Sequence, residues 1–354
     1  MRWIALLALV PCLSGCSSSS TTSLPPPNDD TYRQKITTGM HDAIQGDLEA
    51  LVQATTDLQA AAPAPQGHGW DPEADADAIA KMKAAWLRAR TAYEHIEGAL
   101  APIFPDIDAS IDARYDDFLS NLGVAGDANL FDDQGVTGLH AIERILYVDV
   151  TPGAVVDFES KLPGYVPAAI PANEQQATDF RTKLCAKAIA DATSLRDQWQ
   201  PSKIDLGGAF QGLISLMNEQ REKVNKASTG EEESRYSQRT MADIRDNLQG
   251  TKPIYALFVP WLTAKSGGAE IDHKIQAGLD SLGQIYAHYP GDTIPRPPGT
   301  WSAVSPTPAD LSTPFGELYS SVRDAVDPGR DGSIVFEMNA AATALGFPEF
   351  TEAP

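Results

Sequence analysis

Cysteine, basic residues and paired histidines are what this chain has least of, and each shortage excludes something. Only Cys12, Cys16 and Cys185 occur in 354 residues, too few for a disulfide framework, so packing must hold the fold. Cys185, in the run Phe180 to Lys187, reads as a small core residue rather than a reactive thiol. Lysine and arginine number 27 against 48 aspartates and glutamates, a formal charge of −21. That balance excludes nucleic acid as a partner for the surface as a whole. It leaves room for a carboxylate-lined cleft that draws cations. None of the six histidines has another within four residues, and His-Glu-x-x-His is absent, which weighs against the usual helical zinc-peptidase site.

Long apolar runs are scarce too. Trp3 to Val10, behind the single charge of Arg2, is too short to span as a mature helix, and Leu13-Ser14-Gly15-Cys16 follows it as a lipoprotein signal. The expectation is a signal peptide over 1–15, an acylated Cys16 that anchors the chain to membrane, and a flexible Ser/Thr/Pro tether over 16–28. Ser17 after the cysteine resembles lipoproteins sent on to the outer membrane, where the chain would face the periplasm.

The rest reads as helix nearly throughout, an all-α bundle. Apolar Ile36, Met40, Ile44, Leu48, Leu51 and Leu58 recur at three- and four-residue steps after an Asp29-Asp30-Thr31 cap. Asp71-Pro72 opens a second helix running toward Leu100, a third spans about 108 to 122 and ends at Gly123, and a fourth carries Gly138 to Tyr147. The proline-rich stretch 151–171 divides two halves, 29–150 and 172–350. Helices are expected in the second half at about 172–199, 206–228, 231–250, 253–264, 269–288 and 312–346, with breaks at Pro201, Gly230 and Pro253. The loop Pro290 to Pro308 is long enough to be functional or an irregular strap.

Chemistry concentrates in three segments. Gly138-Leu139-His140-Ala141-Ile142-Glu143 puts an imidazole and a carboxylate three apart, on one helical face. Glu94 and Glu97 repeat that spacing inside Trp86 to Glu97, and Phe104 to Arg114 adds further acids with one arginine. Any one of these alone is an ordinary solvated helical face with ion pairs. One imidazole among several carboxylates is a hard, oxygen-rich donor set suited to iron or manganese, with zinc as an alternative.

In this order, Trp-x-x-Ala-Arg-x-x-Tyr-Glu-x-x-Glu at 86–97, Ile-Asp-x-Arg at 111–114 and Gly-x-His-x-x-Glu at 138–143 resemble the imelysin-like family, and within it the EfeO-type component of bacterial ferrous-iron uptake. Tyr236 to Gly250 is similar to the family's later signature. The resemblance implies two helical-bundle halves with a cleft near their junction. It implies a metal site there, with His140 and Glu143 as ligands, Glu94 and Glu97 facing them, and Asp112 as an additional acid. Arg114 and Arg239 would orient carboxylates, since guanidinium is always cationic. Asp243 and Asn247, four apart on a later helix, would close the cleft or bridge the halves. Trp86 and Tyr93 pack the core. The implied cargo is a metal ion, iron foremost, or a metal chelate, passed to an iron transporter. Metal-dependent peptidase activity is the runner-up, because members of the family were first described as peptidases. Only a short tether precedes the first helix, so the cupredoxin-like domain of longer members is expected to be missing.

Overall fold

The computed structural model describes residues 28–122 and 127–350, without the side chains of 120–122. The signal peptide, Cys16, the tether up to residue 27 and the helix stop at Gly123 lie outside the described residues. Among those described there are helices and no strands, as the periodicity predicts. None of the helices is long and apolar enough to cross a membrane.

The first half is built on α1 (Asp29–Ala61), whose N-terminus is capped by the Asn28 carboxamide, and α2 (Ala76–Glu94), laid along it. The buried face of α1 is Ile36, Met40, Ile44, Leu48, Leu51 and Leu58, the stripe read from the sequence. Burying each such side chain contributes roughly 1.5–3 kcal/mol, which makes this pair the spine of the half. The expected second helix stops short of Leu100. It breaks at His95 and Ile96 into α2 and a turn, α3 (Glu97–Leu100), where the Glu94 carbonyl accepts from the Asn247 amide at 3.2 Å. The expected third helix divides likewise into α4 (Pro105–Asp112) and α5 (Tyr115–Leu122). Then comes α6 (Gly138–Leu146), every residue of which is buried.

The crossover is not wholly irregular. It holds α7 (Gly153–Glu159), and Arg144 ties it down through Glu159 and the Val166 carbonyl. Next come α8 (Glu174–Asp179), a π-helical turn at Phe180–Leu184, and α9 (Cys185–Gln198), which returns to pack on α1. Cys185 is buried there, and burial pushes its thiol well up, consistent with a core role.

The second half comprises α10 (Leu206–Lys226), α11 (Thr240–Thr263), α12 (Gly268–Ala287), α13 (Pro308–Leu311), α14 (Pro314–Val326) and α15 (Ile334–Leu345). Two expectations fail here. The helix expected from residue 231 begins only at Thr240, and the break expected at Pro253 does not occur, because α11 runs through both Pro253 and Pro260. A helix-interior proline costs about 3 kcal/mol. Burial of Ile254, Tyr255, Phe258, Trp261 and Leu262 on the same helix offsets it. The last expected helix is split by Pro328-Gly329 between α14 and α15. One hydrophobic core runs through both halves, α11 packing on α1 and α2 while α10 packs on α3. The segment 230–239 threads between them and builds the site.

Candidate metal centre

Gly138 decides how the centre assembles. Its φ is +81°, and a Cβ there would stand 2.2 Å from the Ile111 carbonyl oxygen. Only glycine lets the start of α6 press against the end of α4. Thr137 Oγ1 donates to the Ser110 carbonyl at 3.1 Å across the same seam. Trp86 Nε1 donates to the Leu139 carbonyl at 2.8 Å and so pins α6 to α2. The outcome is that His140 on α6 faces Asp112 on α4, its Nε2 lying 3.4 Å from Asp112 Oδ1.

His140 is held from behind. Its Nδ1 pairs with Glu143 Oε2 at 2.9 Å, while Glu143 Oε1 accepts from the Tyr236 and Ser237 amides at 3.1 and 2.8 Å and from Ser237 Oγ at 2.8 Å. Glu143 is therefore spent on orienting His140 and on fixing the 230–239 segment. His140 Nε2 is buried and has no hydrogen-bond partner. A histidine whose Nδ1–H is given to a carboxylate presents Nε2 in the orientation that metal-binding histidines use.

Nε2 faces Asp112, and Glu233 lies close to both residues. One ligand atom from each of these three lies within 4.8 Å of the others, and a second group of Glu94, Glu97 and Glu233 satisfies the same limit. Glu233 went unpredicted from the sequence. The sequence places Glu233 in the helix expected from residue 231 and gives it no role, whereas in the fold Glu232, Glu233, Ser234 and Arg235 are all buried in an irregular segment. The one local signal was Gly230, whose φ of +80° turns the chain four residues after α10 ends at Lys226.

The remaining expected residues fall around this core. Glu94 is fully buried against Arg90, and Asn247 Nδ2 reaches both Glu94 Oε2 and Glu97 Oε2, the latter at 3.1 Å. Asn247 Oδ1 accepts from Gln220 Nε2 at 3.2 Å and Lys223 Nζ at 3.1 Å, so this residue bridges the halves. Asp243 sits 3.8 Å from Arg90 Nε and 3.4 Å from Arg239 Nε. Arg239 itself binds Thr91 Oγ1 at 2.6 Å and Asp246 at 2.8 Å. Arg114 turns away from Asp112 to pair with Asp117 at 3.0 Å. Tyr93 donates to Asp108. Arg90, which the sequence reading left without a role, is fully buried and contacts Glu94, Asp112, Glu233 and Asp243.

Asp112 and Glu233 form part of the wall of a cleft of about 440 Å³, with His140 behind them. Seven carboxylates line it against Arg114, Lys223 and Lys226. The buried groups divide by environment. Burial pushes Glu97 up to about 8, with Lys223 working against it, and Asp108 up to about 6; burial also raises Asp243 to about 6 and lifts Glu94 well above the ordinary range. Burial works the same way on Asp112 and Glu233 but loses to the adjacent cations. Arg90 and His140 hold Asp112 far below the ordinary range, and Lys223 with Arg90 holds Glu233 at about 2. His140 is carried up to about 9, because Asp112 and Glu143 outweigh its burial and the repulsion of Arg90. The two acids that meet Nε2 are thus the ones kept ionised, and the donor set of one imidazole and two carboxylates fits a divalent iron or manganese ion, with zinc as an alternative.

The imelysin family's sequence profile matches residues 37–305 of the chain. The iron uptake system component EfeO of Escherichia coli K12 is 29% identical over 211 residues, 60% of this chain and 45% of that protein. EfeO of Shigella flexneri matches at the same identity and coverage. The chain spans about half the length of the curated relatives it matches. An imelysin-like protein from Psychrobacter arcticum 273-4, known from its crystal structure, superposes with a TM-score of 0.53 at 12% identity, over 91% of this chain and 97% of that one, a likeness of fold.

Proposed function

The chain belongs to the imelysin family, and from that membership we propose that it is a lipid-anchored envelope protein that binds an iron ion in its cleft on behalf of an iron-uptake system. The observation that carries the reading is the buried Nε2 of His140, which makes no hydrogen bond and faces Asp112 at 3.4 Å with Glu233 close by, while Glu143 holds the opposite ring nitrogen. The ligands in this reading are His140, Asp112 and Glu233. Glu143 supports the imidazole, and Glu94 and Glu97 stand outside the first ring, where Arg90, Asn247 and Lys223 already engage them. Ferrous iron is favoured over zinc by the carboxylate majority in the donor set.

The similarity to EfeO supports an uptake role, with a membrane transporter as the partner that receives the ion. A polar cleft with seven acids suits a hydrated cation rather than an anionic chelate, which the same charges would repel. Anchoring at Cys16 would hold the site at the membrane, and the signal around it points to the outer membrane, facing the periplasm.

The test is calorimetric. Protein purified without chelator is titrated anaerobically with Fe²⁺, and separately with Mn²⁺ and Zn²⁺. His140→Ala and Glu233→Gln should each weaken binding on the order of a hundredfold or more, as expected when one of three ligands is removed. Variants that bind as tightly as the parent chain would sink the assignment.

A further inference from the structure

Arg90 occupies an unusual position for a buried cation. Its guanidinium reaches four carboxylates from four separate segments: Glu94 on its own helix, Asp112 at the end of α4, Glu233 at 2.9 Å on the 230–239 segment, and Asp243 at 3.8 Å on α11. Two of the four, Asp112 and Glu233, are the acids that converge on His140 Nε2. The other two, Glu94 and Asp243, are fully buried and do not belong to that trio.

Resting on the metal reading above, we propose that Arg90 is a resident counter-cation that competes with the cargo for Asp112 and Glu233, and that it withdraws onto Glu94 and Asp243 when the ion enters. Asp112 and Glu233 would be costly to leave uncompensated in the empty protein, and among the described residues Arg90 is the one cation that reaches both, Lys223 standing 2.8 Å from Glu233 alone and His140 3.4 Å from Asp112. Arg90 lowers that cost for both acids at once and helps keep the empty site folded. The same contacts weaken the grip on the ion, because every contact the ion gains with Asp112 or Glu233 is one the guanidinium must give up or share. Such a site binds reversibly, as a protein that hands its cargo on must do. The fork geometry matters, since a guanidinium can hold two acids with different nitrogens whereas an ammonium is a single point. Arg90 is thus a positioning residue that sets affinity without touching the ion.

The experiment compares wild type, Arg90→Gln and Arg90→Lys by titration with Mn²⁺ and Zn²⁺, alongside the melting temperature with and without the ion. Removing a unit charge a few ångströms from the cation should tighten binding on the order of tenfold or more in Arg90→Gln. Its metal-free form should melt lower than wild type, and the ion should raise its melting temperature by more than it raises that of wild type. Arg90→Lys keeps the charge but cannot fork between Asp112 and Glu233, so it should tighten binding by a smaller factor. If Arg90→Gln does not fold, Arg90→Lys decides. Binding at or below the wild-type affinity in the folded variants overturns the inference, since that is what a merely structural arginine would give. A wild-type protein that binds neither ion fails the metal reading instead.

Discussion

Replacing Glu143 separates two roles that its sequence position cannot tell apart. If it were simply a ligand, metal-free protein would lose nothing without it. In the structure it accepts from two backbone amides and a hydroxyl through Oε1 and holds His140 Nδ1 through Oε2, with Glu143, His140 and Tyr236 buried and Ser237 partly so. Glu143→Ala strands those donors, each at about 1–3 kcal/mol. Ser237 Oγ can rotate toward another acceptor, so the expected loss in the metal-free protein is about 3–5 kcal/mol. At roughly 2 °C per kcal/mol for a chain of this size, the melting temperature should fall by roughly 6–10 °C. Glu143→Gln keeps the Oε1 acceptor but sets an amide N–H against Nδ1, which favours the tautomer protonated on Nε2. It should therefore cost only about 1–2 kcal/mol of stability while weakening metal binding by about 10–100-fold. Circular dichroism melts and calorimetric titration of both variants check the two numbers. A metal-free Glu143→Ala protein that melts within about 1 °C of wild type would refute the reasoning.

Binding should also depend on pH, because His140, raised to about 9, and Glu97, raised to about 8, hold protons in the empty fold. Metal affinity is expected to climb between pH 6.5 and 8.5 as the His140 proton becomes easier to displace, and a flat profile in calorimetry would count against it. Both shifts also mean that the empty fold binds more protons than the unfolded chain over that window. The contribution of His140 is fully present below its unfolded pKa near 6.5 and is lost as pH rises through about 9, so metal-free stability should fall toward pH 9, readable as a declining urea midpoint. Gly138→Ala should cost about 2–3 kcal/mol and reduce metal affinity together, since the new methyl drives α6 away from the Ile111 carbonyl; a neutral variant in the same melts would show that the seam is loose. Cys16→Ser should move the protein from the membrane fraction to the soluble fraction of cells, and unchanged partition would dismiss the anchor.

Much of the architecture was legible because it is local. The α1 stripe and the absence of strands among the described residues follow from periodicity over a few residues, although the cap of α1 falls on Asn28, one residue ahead of the expected Asp29-Asp30-Thr31. The misread boundaries share one cause. At Pro253, burial across α11 outweighs the proline; at 230–239, three donors to Glu143 outweigh helix propensity; at His95, a bond from Asn247 takes the Glu94 carbonyl. Each is a long-range contact overriding a local preference.

By itself the sequence determined an acidic, helix-patterned chain with an ordered series of acids around Gly138-x-His140-x-x-Glu143. Tertiary structure alone decided which of those acids meet. Arg90 and Glu233 are 143 positions apart in sequence yet hydrogen-bonded at 2.9 Å, and Glu143 accepts from Tyr236 and Ser237, which arrive from the other half. Helical spacing can place two side chains on one face, but which carboxylates stay ionised around a buried imidazole depends on the desolvation and the cations that the whole fold brings to them.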